Sequence, residues 1–143
     1  MIALKQLQFF GPSAKLHHVG IAVHSIETAI PGLESVEDPK QQVRVAFADL
    51  AGLTIELIEP ASENSPIDQS LKKGIKLLHI CIEVPSLDAA LKICAKNGFR
   101  KISSVQPAVA FDMRKIVWVF NTVFGLVELL EADFVGGRKE LDL

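Results

Sequence analysis

Apolar residues recur along this chain with two different periods, and the switches between them mark the elements. Val19, Ile21 and Val23 alternate with smaller or polar neighbours, as do Ile80, Ile82 and Val84, which is the period of a strand. After the second run the period lengthens: Leu87, Leu91 and Cys94-Ala95 recur at helical spacing, with Ser86 as N-cap and Gly98 as the stop. Ser25 opens a helix after the first run in the same way, but Pro31-Gly32 ends it after about one turn. Strands follow at 43–50 and 53–58 around a turn at Gly52, and at 116–121 and 126–130 around a turn at Gly125. Between these blocks, Ser65 as cap and Pro66 in the first turn start a short helix over 67–73 that closes at Gly74.

The two blocks are copies of one unit. Laid over LLHICIEVPSLDAAL at 77–91, LHHVGIAVHSIETAI at 16–30 keeps Leu16/Leu77, His18/His79, Ile21/Ile82, Val23/Val84, Ser25/Ser86 and Ala29/Ala90 identical at an offset of 61 residues. IELIE at 55–59 lies over VELLE at 127–131 at an offset of 72, so the first copy is eleven residues shorter between its matched ends. The missing residues belong where the first helix is cut short. The pattern predicts an α+β fold of two βαβββ modules, about 16–60 and 77–131, within a single domain spanning 1–143. The strands form a curved, partly open mixed sheet with helices on one face, and the first module is truncated.

Composition narrows the function classes. With 143 residues, 49% hydrophobic and 22% charged, the chain can bury a core and does not read as disordered. A formal net charge of −2, with no Lys/Arg run longer than two, argues against nucleic acid as the partner, because phosphate binding needs a concentrated basic face. No stretch approaches the roughly 18 apolar residues that cross a membrane, and residues 1–11 lack the apolar run of a signal peptide. Two cysteines, Cys81 and Cys94, suit a reducing interior better than a disulfide scaffold. The expected setting is the cytoplasm.

Alternation across strands then separates an aliphatic face from a chemical one. Val19, Ile21, Val23, Ile80, Ile82, Val84, Ile55, Leu57, Val127 and Leu129 lie on the helix side. His18, Glu56, His79, Cys81, Glu83 and Glu128 lie opposite, among small residues. Two imidazoles and two carboxylates converging on one concave face make a mixed N/O ligand set for one divalent ion, Zn, Mn, Fe, Co or Ni, with Mg less favoured. Four protein ligands leave two octahedral positions for water or substrate oxygens. A single His or Glu on a strand is more often merely solvated. Here each type falls on its own kind in the repeat, which marks the four residues as a set.

These motifs resemble the vicinal-oxygen-chelate superfamily (glyoxalase, bleomycin-resistance and dioxygenase proteins), and within it the methylmalonyl-CoA epimerase-like branch. The resemblance rests on HHVGIAV at 17–23, IELIEP at 55–60, NSPI at 64–67, HICIEV at 79–84 and GLVELLE at 125–131, and it spans about 16–131. It implies His18, Glu56, His79 and Glu128 as metal ligands, with Glu128 also moving the substrate proton. It implies an isomerase that deprotonates carbon next to a metal-bound carbonyl of an acyl-CoA or thiol adduct, working as a possible homodimer. Two positions depart from the pattern. The branch carries a second carboxylate, the opposite-face base, where this chain has Lys40, leaving Asp38 or Glu37 to reach in from a shifted loop. The His that precedes the second ligand is replaced by Leu78. Losing a base leaves a glyoxalase-I-type lactoylglutathione lyase as the alternative enzyme, and a non-catalytic binding or resistance protein as the alternative class.

The remaining residues have plainer roles. Cys81 reads as a small buried wall residue beside the ligands rather than an extra ligand, and His17 as a structural residue facing away from His18. His24, Glu59 and Glu131 read as strand-end surface groups. Phe111, Trp118 and Phe120 are candidates to line a substrate pocket, the latter two packing within the sheet. Arg114, Lys115, Lys72 and Lys73 are candidates for CoA phosphates, with scattered surface charges as the default. Phe9 and Phe10, in 7–12, are expected at a sheet edge or under a partner chain, and 136–143 forms a loose tail.

Overall fold

The structure is a computed structural model that describes residues 1–133. The tail expected at 136–143 lies outside the described residues. Among the described residues, nine strands form one sheet in the order β2-β3-β4-β1-β5-β9-β8-β6, with β7 also paired to β8. The strands are β1 (Lys15–Ala22), β2 (Val36–Asp38), β3 (Val43–Leu50), β4 (Leu53–Pro60), β5 (Leu77–Val84), β6 (Arg100–Lys101), β7 (Gln106–Ala108), β8 (Arg114–Asn121) and β9 (Gly125–Glu131). The order is a palindrome of the repeat. β1 and β5 meet antiparallel at the centre, each flanked by a parallel strand, β4 and β9 respectively. β3 and β8 then add antiparallel on the outside.

Three α-helices connect the strands: α1 (Ile26–Ala29), α2 (Pro66–Lys72) and α3 (Leu87–Ala95). Ser25 and Ser86 cap α1 and α3 by accepting from the backbone N–H of Thr28 and Ala89, as their positions predict. α1 has only four residues before the 31–32 break, whereas α3 runs for nine. Ser65 caps α2 and Pro66 takes its first position, so this helix starts one residue earlier than the pattern placed it.

Each face of the sheet carries its own core. On the helix side, Val117, Val119, Val127 and Leu129 are buried under Leu87, Ala90 and Cys94 of α3. The smaller counterpart packs Ala46, Ile55 and Leu57 under Ile26 of α1. On the opposite face, Cys81, Ile116 and Leu130 pack with Ala108 and Phe111, while Val43, Val45 and Ile58 form a separate patch with Leu78 and Ile67. The N-terminal aromatics form no strand. Phe9 and Phe10 stack instead on Phe99, with ring centroids 5.7 and 4.9 Å away, and close the end of the α3 core.

Glu59 and Glu131 are not surface charges. The Glu131 carboxylate accepts from the backbone N–H of Leu87 at 3.0 Å, and Glu59 accepts from Ile26 at 2.7 Å. Each therefore ties the end of a strand to the first, otherwise unpaired N–H of the helix beside it, where the helix dipole also favours negative charge. Glu131→Ala is expected to cost about 1–2 kcal/mol of stability by urea unfolding. The exposed Glu63, changed to Ala, stays within about 0.5 kcal/mol of wild type.

Candidate metal centre

The central pairing brings the repeated residues face to face. Gly20 of β1 lies opposite His79 of β5, and His18 lies opposite Cys81. The parallel neighbours supply the carboxylates: Gly20 pairs with Glu56 of β4, and Cys81 with Glu128 of β9. All four side chains are buried, His18 completely. His18 Nε2 stands 3.1 Å from Glu56 Oε1 and 3.4 Å from Glu128 Oε1. His79 Nε2 stands 3.5 and 3.3 Å from the same two oxygens, and 3.4 Å from His18 Nε2.

The donor set fits a divalent cation. The four ligand atoms lie within 4.8 Å of one another. Glu128 Oε1, although so near both imidazoles, is buried without an aligned hydrogen bond. Two imidazole nitrogens and two carboxylates gathered this closely are a donor set that suits a cation. Gly20 makes the room. A β-carbon there would sit 2.2 Å from His79 Cε1 and 2.5 Å from its Nδ1, inside the ring's own volume. The Trp118 and His79 rings meet perpendicular to each other, at a centroid distance of 4.8 Å.

Residues 17–118 match the Glyoxalase/Bleomycin resistance protein/Dioxygenase superfamily. The chain belongs to that superfamily. Human mitochondrial methylmalonyl-CoA epimerase is 36% identical over 100 residues, covering 62% of this chain and 57% of that protein. The chain thus spans little more than half of the human relative's length. The ethylmalonyl-CoA/methylmalonyl-CoA epimerase of Cereibacter sphaeroides is 30% identical over 128 residues, covering 80% of this chain and 96% of that protein. The crystal structure of methylmalonyl-CoA epimerase from Mycobacterium tuberculosis superposes with a TM-score of 0.71 at 25% identity, over 85% of this chain and 91% of that one.

A site built from four ionisable groups sets its own charges. Burial pushes the imidazolium of His79 down, but the contacts with Glu128 and Glu56 outweigh it and raise the pKa to about 9. His18 is raised for the same reasons. Burial alone would raise Glu128, yet the facing imidazoles hold it below the ordinary carboxylate range. Cys81, fully buried, has its thiol pushed up by burial and by the two glutamates, which fits the wall residue expected from sequence.

A cavity of about 510 Å³ opens from the cluster toward β3 and α2, lined by Glu56, His79 and Glu128 at its floor. Val43, Val45, Ile58, Ile67 and Leu78 form its apolar wall. Phe111 lines it, and so does Trp118, which the sequence favours within the sheet; Phe120 does not. Phe111 sits on a 3-10 turn (Val109–Phe111) that no periodicity announced, and its ring stacks on His18. Lys40 and Asp38 also line the cavity, but the Asp38 carboxylate is engaged. Its Oδ1 accepts from the backbone N–H groups of Lys40 and Gln41, and its Oδ2 from Gln41 Nε2 at 2.8 Å. Glu37 turns outward to Arg44. Arg114 is likewise committed, to Glu83 and the Glu131 carbonyl, and Lys72 pairs with Asp68.

One position reads differently from its sequence assignment. His17 does not face away from His18: the β1–β5 register passes from Leu16/Ile82 to His18/Cys81, skipping His17. This local irregularity turns its ring beside that of His18, with Nδ1 2.9 Å from His18 Nδ1. Burial and the neighbouring His18 lower the His17 pKa, favouring a neutral ring. The doubled histidine at 17–18 was the available signal. Gly20→Ala is the expected way to destroy the centre without touching a ligand. Circular dichroism should stay native while Co(II) affinity by calorimetry falls about tenfold or more, because the His79 ring must leave.

Proposed function

We propose that this chain is a divalent-metal-dependent acyl-CoA epimerase of the methylmalonyl-CoA type, with His18, Glu56, His79 and Glu128 holding the cation. The observation that carries this reading is the buried, convergent cluster of two imidazoles and two carboxylates at the floor of a mainly apolar cavity. The relatives' activity supports the choice of substrate. A cation held there would polarise a substrate carbonyl and ease loss of the proton from the adjacent carbon.

The protein's own groups do the rest. Glu128 stays ionised and takes the α-proton on its carboxylate. Epimerisation also needs a proton returned to the opposite face. Among the protonatable side chains lining the cavity, Glu56, His79 and Glu128 belong to the cluster and Asp38 is hydrogen-bonded to its own turn. That leaves Lys40 as the cavity-lining group for proton transfer at the opposite face. The apolar wall of Val43, Val45, Ile58 and Leu78 keeps water from quenching the deprotonated substrate.

The buried free thiols of Cys81 and Cys94 fit a cytoplasmic setting. Leu16 and Ile80 stay exposed on the central strands, in a depression that Phe124 and residues of the 6–14 segment also line. This favours a homodimer packed through that face, which sedimentation of the same samples checks.

Protein loaded with Co(II) and incubated with methylmalonyl-CoA in D₂O is expected to exchange and invert the α-carbon, followed by NMR. Glu128→Gln should slow both by about 100- to 10,000-fold. Exchange without inversion would remove Lys40 from its role. No exchange from protein carrying one metal per chain would overturn the epimerase reading and favour a hemithioacetal substrate.

A further inference from the structure

We propose that His17 is a positioning residue for His18, accepting a hydrogen bond from His18 Nδ1–H that fixes the tautomer whose Nε2 lone pair faces the cluster. This rests on the metal-centre reading above. Three features of the fold lead to it.

The first is geometric. His18 uses its two nitrogens in opposite directions: Nε2 faces Glu56, Glu128 and His79, whereas Nδ1 lies 2.9 Å from His17 Nδ1. A nitrogen that ligates a cation must carry a lone pair, so the other nitrogen carries the hydrogen and needs an acceptor. His18 is completely buried, so without His17 that N–H would have no partner from water.

The second is mechanical. The register irregularity between Leu16 and His18 is what places His17 on this side of the strand. Phe111 then clamps the pair: its ring stacks on His18 at 5.5 Å and meets His17 edge-on at 5.5 Å. Both rings are held against one aromatic side chain, which restrains the geometry of the hydrogen bond between them.

The third is the contrast with the other half of the repeat. The strand β5 has a matching irregularity, its register passing from Gly20/His79 to Ile21/Leu77 and skipping Leu78. Leu78 offers no acceptor and packs with Val43, Val45 and Ile58 in the cavity wall. His79 is located instead by packing, against the bare backbone of Gly20 and the ring of Trp118. One ligand histidine is oriented by a hydrogen bond and the other by shape. A metal-ligating imidazole whose second nitrogen loses its partner commonly costs 10- to 100-fold in affinity, so His17 should matter where Leu78 does not.

Two variants separate hydrogen bonding from packing. His17→Phe keeps a ring against Phe111 but removes the acceptor. His17→Asn loses the ring but places Oδ1 where Nδ1 stood. Co(II) affinity by calorimetry is expected to fall about 10- to 100-fold in His17→Phe and to be largely restored in His17→Asn. In ¹⁵N NMR of the metal-free wild type, at a pH where the imidazoles are neutral, His18 should be the Nδ1–H tautomer, and His17→Phe should shift it toward Nε2–H. Wild-type affinity in His17→Phe, or an Nε2–H tautomer of His18 in the wild type, would overturn the proposal. So would a second Co(II) per chain with a sulfur-to-cobalt charge-transfer band. That result would make His17, His18 and Cys81, whose ligand atoms also lie close together, a metal site of their own. If the wild type takes up no cation, the metal-centre reading fails, and the tautomer measurement alone decides the role of His17.

Discussion

The antiparallel seam between β1 and β5 is the constraint on which the rest depends. Its register sets Gly20 against His79 and His18 against Cys81, and the parallel strands on either side add Glu56 and Glu128. Side chains alternate along a strand, so a slip of one residue between the two would turn one histidine to the helix side and separate it from the other. Gly20 is the tightest point. There the backbone of one copy makes room for a ring of the other. Burying two carboxylates together would be costly by itself, and the facing imidazoles offset that cost.

The repeat makes the site, and its inequality gives the site an entrance. On the β8 side the concave face is filled by the 3-10 turn, with Phe111 packed on Cys81, Ile116 and Leu130. On the β3 side it is left open, walled by Val43, Val45, Ile58 and Leu78. The two skipped residues of the seam follow the same division. His17 lies on the filled side against Phe111, and Leu78 lies on the open side facing the cavity. A polar residue is useful where it can be enclosed and hydrogen-bonded. An apolar one suits the side that must hold the acyl part of a substrate and keep out water.

Much of this was legible in the sequence because the repeat doubles every signal. Single alternating runs are ambiguous, but His18/His79 and Glu56/Glu128 recurring in register identified the face and brought together the residues that the structure also brings together. What escaped has local physical causes. Alternation placed His17 opposite His18, and a register irregularity, invisible to a period of two, overrides it. The turn carrying Phe111 has neither period, and its closing residues Asp112 and Met113 take left-handed backbone without a glycine to mark them. Glu59 and Glu131 were read as surface charges although they too match in the repeat. Their partners are helix N–H groups distant in sequence, which no local pattern reveals.

The most direct test of the account is anomalous diffraction from crystals grown with Co(II), measured at the cobalt edge. The account predicts one strong peak at about 2.0–2.2 Å from Nε2 of His18, Nε2 of His79 and a carboxylate oxygen each of Glu56 and Glu128. No peak at the cluster, or a peak held by other side chains, would contradict it.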